Sequence, residues 1–287
     1  MSTDAPPHVA PGRRLLARFN AAAALLLLVA GGMVTSTSSG MAVPDWPLSY
    51  GRWLPAMTGG VFYEHGHRMI AAFVGLMILI MAFWTQFDES RPGVRRLAWW
   101  TLFAVSLQGV LGGVTVFFNL PVAVSAAHAT LGQTVFCLLV IMAELTGEGA
   151  RAPSPAPASD RLRALGTAAV AALWLQLVLG AVMRHGGARV IWHLIGAVVA
   201  ASAAAAFGAA ALARPEAELR RPAGALLLLL GGQLALGLAT LDFRSLPSPR
   251  TNAAMISTAT THLAVGALLL GTAALLAFRV FRSAAAR

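Results

Sequence analysis

Residues 63–83 read Tyr-Glu-His-Gly-His-Arg and then Met-Ile-Ala-Ala-Phe-Val-Gly-Leu-Met-Ile-Leu-Ile-Met-Ala-Phe. The run that starts at Met69 is of membrane-spanning length. A carboxylate, imidazoles and a guanidinium at its mouth, Glu64, His65, His67 and Arg68, are costly to hold beside hydrocarbon and mark a functional site by default. On a helix, Glu64 and His67 share a face and His65 points elsewhere. An imidazole so placed can ligate a metal or a haem iron, the carboxylate can move protons, and Arg68 can hold an anionic group at the membrane surface. A cluster that only marks a helix end would contain the same residues.

Working outward, the chain of 287 residues is 57% hydrophobic and 11% charged, with a mean hydropathy of +0.72, which is the composition of a polytopic membrane protein. Arg13, Arg14 and Arg18 precede an apolar run from Ala21 to Val34 with no convincing small-residue cleavage site, so that run is expected to be a retained helix. The net charge of +10 comes from arginines lying between apolar runs, so membrane topology explains it before nucleic-acid binding does. The single cysteine, Cys137, excludes an intramolecular disulfide and a cysteine-ligated cluster.

Eight spans are expected, over residues 19–39, 62–85, 97–118, 123–146, 163–183, 190–212, 223–242 and 254–278. The connections 1–18, 86–96, 147–162, 213–222 and 279–287, with Arg163 at the edge of the following span, hold 15 of the 21 arginines, which places both termini in the cytoplasm of an inner (cell) membrane. The fold class is therefore all-α. A cytoplasmic tail, 1–18, precedes an N-terminal four-helix half, 19–147. A Pro/Ala-rich linker, 148–162, joins it to a C-terminal half, 163–287. Gln108 to Thr115 (QGVLGGVT) resembles Gln233 to Thr240 (QLALGLAT), which gives the two halves a weak internal repeat. Glu144 and Asp242 are too dispersed for a proton relay and read as interfacial.

Arg52, Arg68, Arg184, Arg189, Arg244 and Arg250 fall on the opposite, outer side, where topology gives no reason for them. Binding of carboxylates is the functional reading, and scattered interfacial charge is the plain one. On the same side a long loop contains Pro44-Asp45-Trp46-Pro47-Leu48 and is a candidate cap, with Asp45 and Trp46 at its centre.

Four histidines, His67, His128, His193 and His262, fall one on each even-numbered span, about 8–14 Å from the outer end at 1.5 Å per residue. One buried histidine is more often a hydrogen-bonded core residue than a ligand. Four at matched depth suit two pairs, each able to grip one haem iron from both faces. Gly132, Gly196 and Gly266 follow their histidines by three or four residues, with Ala71 after His67, and would let a macrocycle lie against the backbone or let helices pack closely.

Together, Gly32-Met33-Val34-Thr35-Ser36-Thr37, the Pro44–Leu48 loop and Glu64-His65-Gly66-His67-Arg68-Met69-Ile70 resemble the haem A synthase family of cytochrome oxidase assembly. The resemblance implies two pseudo-symmetric four-helix bundles. It further implies oxidation of the C8 methyl of haem O to a formyl group by successive hydroxylations, with a b-type haem as cofactor. It makes Glu64 the catalytic carboxylate, His67 and His128 the ligands of the substrate haem, and His193 and His262 the iron ligands of haem b. Arg68, Arg184 and Arg189 become candidates for the propionates. A haem O synthase, an unidentified electron donor and the lipid bilayer become the partners, and an oligomer is compatible with it. The chain departs from the family in lacking the outer-loop cysteine pairs of many members and in its short turn His185-Gly186-Gly187-Ala188. Two alternatives share the four histidines: a diheme b-type electron carrier, and a non-catalytic haem-binding chaperone or exporter, which would not need Glu64.

Overall fold

The structure, a computed structural model, describes residues 11–147, 158–244 and 252–282. His8, the linker residues 152–157 and Arg250 lie outside the described residues. Eight helices follow one another: α1 (Pro11–Ser36), α2 (Gly59–Asp88), α3 (Pro92–Phe117), α4 (Val122–Leu145), α5 (Asp160–Arg184), α6 (Val190–Leu212), α7 (Ala217–Phe243) and α8 (Ala253–Arg282). All eight are long and apolar enough to cross a membrane, so the chain is an all-α, multi-pass membrane protein. Large apolar side chains stay exposed, among them Phe87, Leu228 and Val198, as lipid-facing surfaces require. Helices are the form that satisfies every backbone N–H and C=O within one segment, which is why apolar runs fold this way.

Consecutive helices pack pairwise, and α1 also packs on α4 and α5 on α8. The buried cores follow this division. One gathers Ala24, Ile78, Ala98 and Leu139 from α1–α4, and the other gathers Leu173, Phe207, Leu226 and Leu276 from α5–α8. Contacts of α8 with α1 and α4, and of α4 with α5, join the two groups. The two most buried helices are accordingly α4 and α8. Their approach depends on Gly271, where a Cβ would stand 2.9 Å from Phe136.

Helix α1 begins at Pro11 rather than near residue 19. The added turns carry Arg13, which is fully buried and pairs with Glu89 at 3.0 Å and Asp88 at 3.4 Å. Hydropathy ends a span where charge begins, but a charge paired on a neighbouring helix lets the helix continue. At the same end of the bundle Arg91 also pairs with Glu89, and Arg279 takes both oxygens of Glu144 at 2.8 Å. Glu144 is thus an interhelical tie between α4 and α8.

Candidate functional site

Each of the four span histidines lies against a glycine of the preceding helix. A Cβ built on Gly31, Gly112, Gly180 or Gly237 would stand 3.0, 3.3, 3.0 or 3.2 Å from Cε1 of His67, His128, His193 or His262, respectively. An imidazole can sit flush against a neighbouring helix only where that helix has no side chain, so the four glycines set where the rings lie. His67 and His128 are close enough for their charges to interact, and so are His193 and His262. The histidines therefore come in two pairs. His185, from the α5–α6 turn, adds a third imidazole near His128. Burial, with help from the adjacent Arg184, pushes the His185 pKa below its ordinary value.

Of the two readings of Gly132, Gly196 and Gly266, close packing of a neighbouring helix is the one their surroundings match. A Cβ on Gly132 or Gly266 would stand 3.0 Å from the amide nitrogen of Gln108 or Gln233, and one on Gly196 would collide with Gln176 Oε1. These glycines receive a glutamine from the preceding helix, and the imidazoles rest on Gly31, Gly112, Gly180 and Gly237 instead. Gln108 Nε2 donates to the carbonyl of His128 at 2.8 Å, and Gln176 Nε2 donates to the carbonyl of His193 at 2.9 Å. Gln176 Nε2 also lies 3.0 Å from His193 Nδ1, and Gln233 Nε2 lies 3.3 Å from His262 Nε2. The Nδ1 of His128 faces the carbonyl of Gln108 at 3.2 Å. A carbonyl only accepts, so this ring nitrogen donates and the lone pair stays on Nε2, the tautomer that a metal ligand needs.

Around Glu64 the side chains clamp the loop between α1 and α2. Its Oε2 accepts from the Val43 N–H at 2.9 Å and its Oε1 from Arg68 Nη2 at 2.6 Å. Arg68 Nη1 also donates to the carbonyls of Asp45 and Leu48 at 2.6 and 2.8 Å. These bonds commit Arg68 to the loop and to Glu64 rather than to an open anion site. His65, buried, meets Ser49 Oγ at 2.7 Å through Nδ1. Within the loop, Asp45 accepts from the backbone N–H groups of Tyr50 and Gly51 at 2.7 and 2.8 Å. The Gly51 N–H is the main cause of an Asp45 pKa below its ordinary value, against partial desolvation and with help from Tyr50. Trp46 lies against Gly113 of α3, where a Cβ would stand 2.9 Å from its ring, and edge-on to Phe117. The indole thus covers the residue next to Gly112, on which His128 rests.

Arg184 closes the gap between the two groups of helices. Its Nη2 donates to Ser36 Oγ at 2.7 Å and to the Gly32 carbonyl at 3.3 Å, both on α1. Ser36 in turn meets Thr260 of α8 at 3.0 Å. Arg184 is also near enough to His262 for their charges to interact. Arg189 stands at the N-cap of α6. Sequence reasoning passed over Gln176 and Gly180, although Gln176-Leu-Val-Leu-Gly180 is a third copy of the pattern in Gln108–Gly112 and Gln233–Gly237. His65 points away from Glu64 and His67, as the helical spacing implies, but its burial depends on how the loop folds back.

Two buried ring nitrogens, His67 Nδ1 and His262 Nδ1, make no well-formed hydrogen bond among the described residues, with the Leu27 and Gln233 backbones as their neighbours. Buried polar atoms are normally satisfied. Paired imidazoles on glycine-floored surfaces fit a flat iron macrocycle held between helices. Among the described residues no three His, Cys, Asp or Glu side chains converge as a compact chelate would require.

Comparison with known proteins agrees with this geometry. Residues 58–193 match the COX15-CtaA family, described as cytochrome oxidase assembly protein. That stretch contains Glu64, His67, His128 and His193 and stops short of His262. The chain is similar to the heme A synthase of Symbiobacterium thermophilum, 31% identical over 183 residues, or 61% of this chain and 60% of that protein. It is also similar to the heme A synthase of an Exiguobacterium species, 31% identical over 124 residues, 42% of this chain and 41% of that one. The heme A synthase of Rhodopseudomonas palustris is 32% identical over 152 residues, covering 46% and 41% of the two chains. The matches thus span between two-fifths and three-fifths of these relatives' lengths. Over residues 58–193, the stretch that holds three of the four span histidines, the chain is similar to the COX15-CtaA family of cytochrome oxidase assembly proteins.

Proposed function

We propose that the protein oxidises the C8 methyl of haem O to a formyl group, giving haem A. The observation that carries this reading is the pairing of four glycine-seated imidazoles with one buried carboxylate, Glu64, three residues from one of them. The relatives named heme A synthase support it. The N-terminal half, 19–147, takes haem O as substrate between His67 and His128. The C-terminal half, 163–287, holds haem b between His193 and His262, the two halves being related by pseudo-symmetry. When bound, haem b supplies one-electron chemistry, and the residues of the chain do the rest.

Glu64 is the group placed to receive or hold a proton near the reacting methyl. Arg68 and the Val43 N–H keep it aligned. The loop through Asp45 and Trp46 covers the α2–α4 side and excludes water. Arg184, buried beside His262 and bonded to α1, is the best-placed cation for a propionate of haem b, with Arg189 near the same end. Both termini face the cytoplasm of the inner membrane, with the haems toward the outer side. A haem O synthase supplies the substrate, and an electron donor completes the system.

Glu64→Ala separates this reading from its alternatives. The variant is expected to keep its bound haem and to accumulate haem O, whereas His193→Ala and His262→Ala lose the b-type absorption spectrum. A Glu64→Ala protein that still makes haem A would overturn the role of the carboxylate.

A further inference from the structure

We infer that Gln108, Gln176 and Gln233 are positioning residues that lock His128, His193 and His262, and that their absence beside His67 makes His67 the one adjustable ligand. The inference rests on the haem reading above. It starts from a unit repeated along the chain: a residue, a glycine four later on the same helix, then a histidine on the next helix and a small residue three or four after it. The copies are Gln108/Gly112/His128/Gly132, Gln176/Gly180/His193/Gly196 and Gln233/Gly237/His262/Gly266. The fourth is Leu27/Gly31/His67/Ala71, with the same spacing but without the glutamine.

The two changed positions belong together. Each glutamine amide occupies the space that a Cβ on its partner glycine would need. Where leucine replaces glutamine, alanine replaces glycine, so no space is kept for an amide on the α1–α2 pair. His67 lies against Gly31 as its counterparts lie against their glycines, and the Leu27 backbone stands beside its ring as the Gln108 carbonyl stands beside that of His128, but α1 offers it no side-chain amide at the glutamine position.

Stability alone would not select these glutamines. Oε1 of Gln108, Gln176 and Gln233 is buried without a partner in every case. A half-satisfied amide among membrane helices is costly, and Leu27 demonstrates that the fold accepts an aliphatic residue in its place. What the glutamines do is tie the histidine to the neighbouring helix: Gln108 and Gln176 hold the main-chain carbonyl of His128 and His193, and the amides of Gln176 and Gln233 lie against the rings of His193 and His262. Both members of the His193/His262 pair carry the tie, which suits a permanently held macrocycle. In the His67/His128 pair only His128 carries it. The untied member also lies beside Glu64, Arg68 and the covering loop, where a macrocycle that must be taken up and released needs a ligand that can adjust.

The test uses the purified protein saturated with haem B, with haem release followed by transfer to excess apomyoglobin and ligation by the low-spin electron paramagnetic resonance signal. Two double variants exchange the units: Leu27→Gln with Ala71→Gly installs the tie beside His67, and Gln233→Leu with Gly266→Ala removes it beside His262. Wild type is expected to release haem in a fast and a slow phase. Installing the tie slows the fast phase about tenfold and sharpens its signal, and removing it speeds the slow phase about tenfold and broadens its signal. Rates and signals equal to wild type in both variants would overturn the inference. Should the Gln233 variant not fold, the Leu27 variant decides alone, because its outcome is a gain. A wild-type protein that takes up no haem B with bis-histidine signals would instead overturn the haem reading itself.

Discussion

Arg68 Nη2 donates to Glu64 Oε1 at 2.6 Å, one helical turn away on α2, and this pair joins the carboxylate to the loop that covers it. Both side chains are largely buried, and the same guanidinium holds the carbonyls of Asp45 and Leu48. Removing one member of a buried pair costs about 3–5 kcal/mol, because the other charge stays behind. Arg68→Ala should therefore free the loop and expose Arg52 to trypsin at least tenfold faster than wild type. Arg68→Lys should fall between, since a lysine cannot serve these acceptors in one plane. Equal cleavage rates in wild type and Arg68→Ala would contradict the clamp.

Gly180 and Gly112 offer a graded test of the glycine floors. A Cβ would stand 3.0 Å from His193 Cε1 at Gly180 but 3.3 Å from His128 Cε1 at Gly112. Overpacking of this kind costs about 1–3 kcal/mol where the neighbour cannot move. Gly180→Ala is expected to shift the haem absorption bands and lower haem occupancy more than Gly112→Ala. Equal effects, or none, would show that the rings do not depend on these floors.

At the opposite end, Glu89 should make stability depend on acid. Burial opposes its ionisation, but hydrogen bonds from the side chain and backbone of Arg91, and the charges of Arg91 and Arg13, outweigh it and hold its pKa at about 2 against an ordinary 4.5. A depressed carboxylate contributes stability above its unfolded pKa and loses it as pH falls through its folded one. Thermal stability in detergent should thus decline from pH 4.5 toward pH 2, and Glu89→Gln should be less stable at neutral pH with a flatter profile across that window. A parallel decline in both proteins would contradict this.

Arg184, Ser36 and Thr260 tie three helices, α5, α1 and α8. A hydrogen bond to a charged group contributes about 1.5–3 kcal/mol, so Ser36→Ala and Arg184→Gln should each lower the melting temperature. Because they remove the same contact, the double variant should lose less than the sum of the single variants. Additive losses would show that the contact contributes little.

The eight spans and the four span histidines were legible because apolar runs of fixed length and rare polar residues within them are strong signals, as at Met69–Phe83 and His128. The extension of α1 to Pro11 was not, because hydropathy registers Arg13 as a boundary without registering its partner Glu89. Spacing identified Gly132, Gly196 and Gly266 as special positions but left open whether a macrocycle or a helix lies against them, since which group faces a glycine is a tertiary fact. The repeat Gln108–Thr115 and Gln233–Thr240 was visible, but its chemistry required seeing Gln and Gly on opposite sides of a histidine. Likewise, the bonds of Arg68 to Asp45 and Leu48 depend on the loop folding back over α2, which spacing does not register.

The central claim, oxidation of haem O, is tested most directly by purifying the protein from cells that also express a haem O synthase, extracting its haem with acidified acetone and determining the masses after chromatography. Haem A or its hydroxylated precursor beside haem B is the expected result. Haem B alone, with haem O abundant in the same membranes, would contradict the claim and favour an electron carrier.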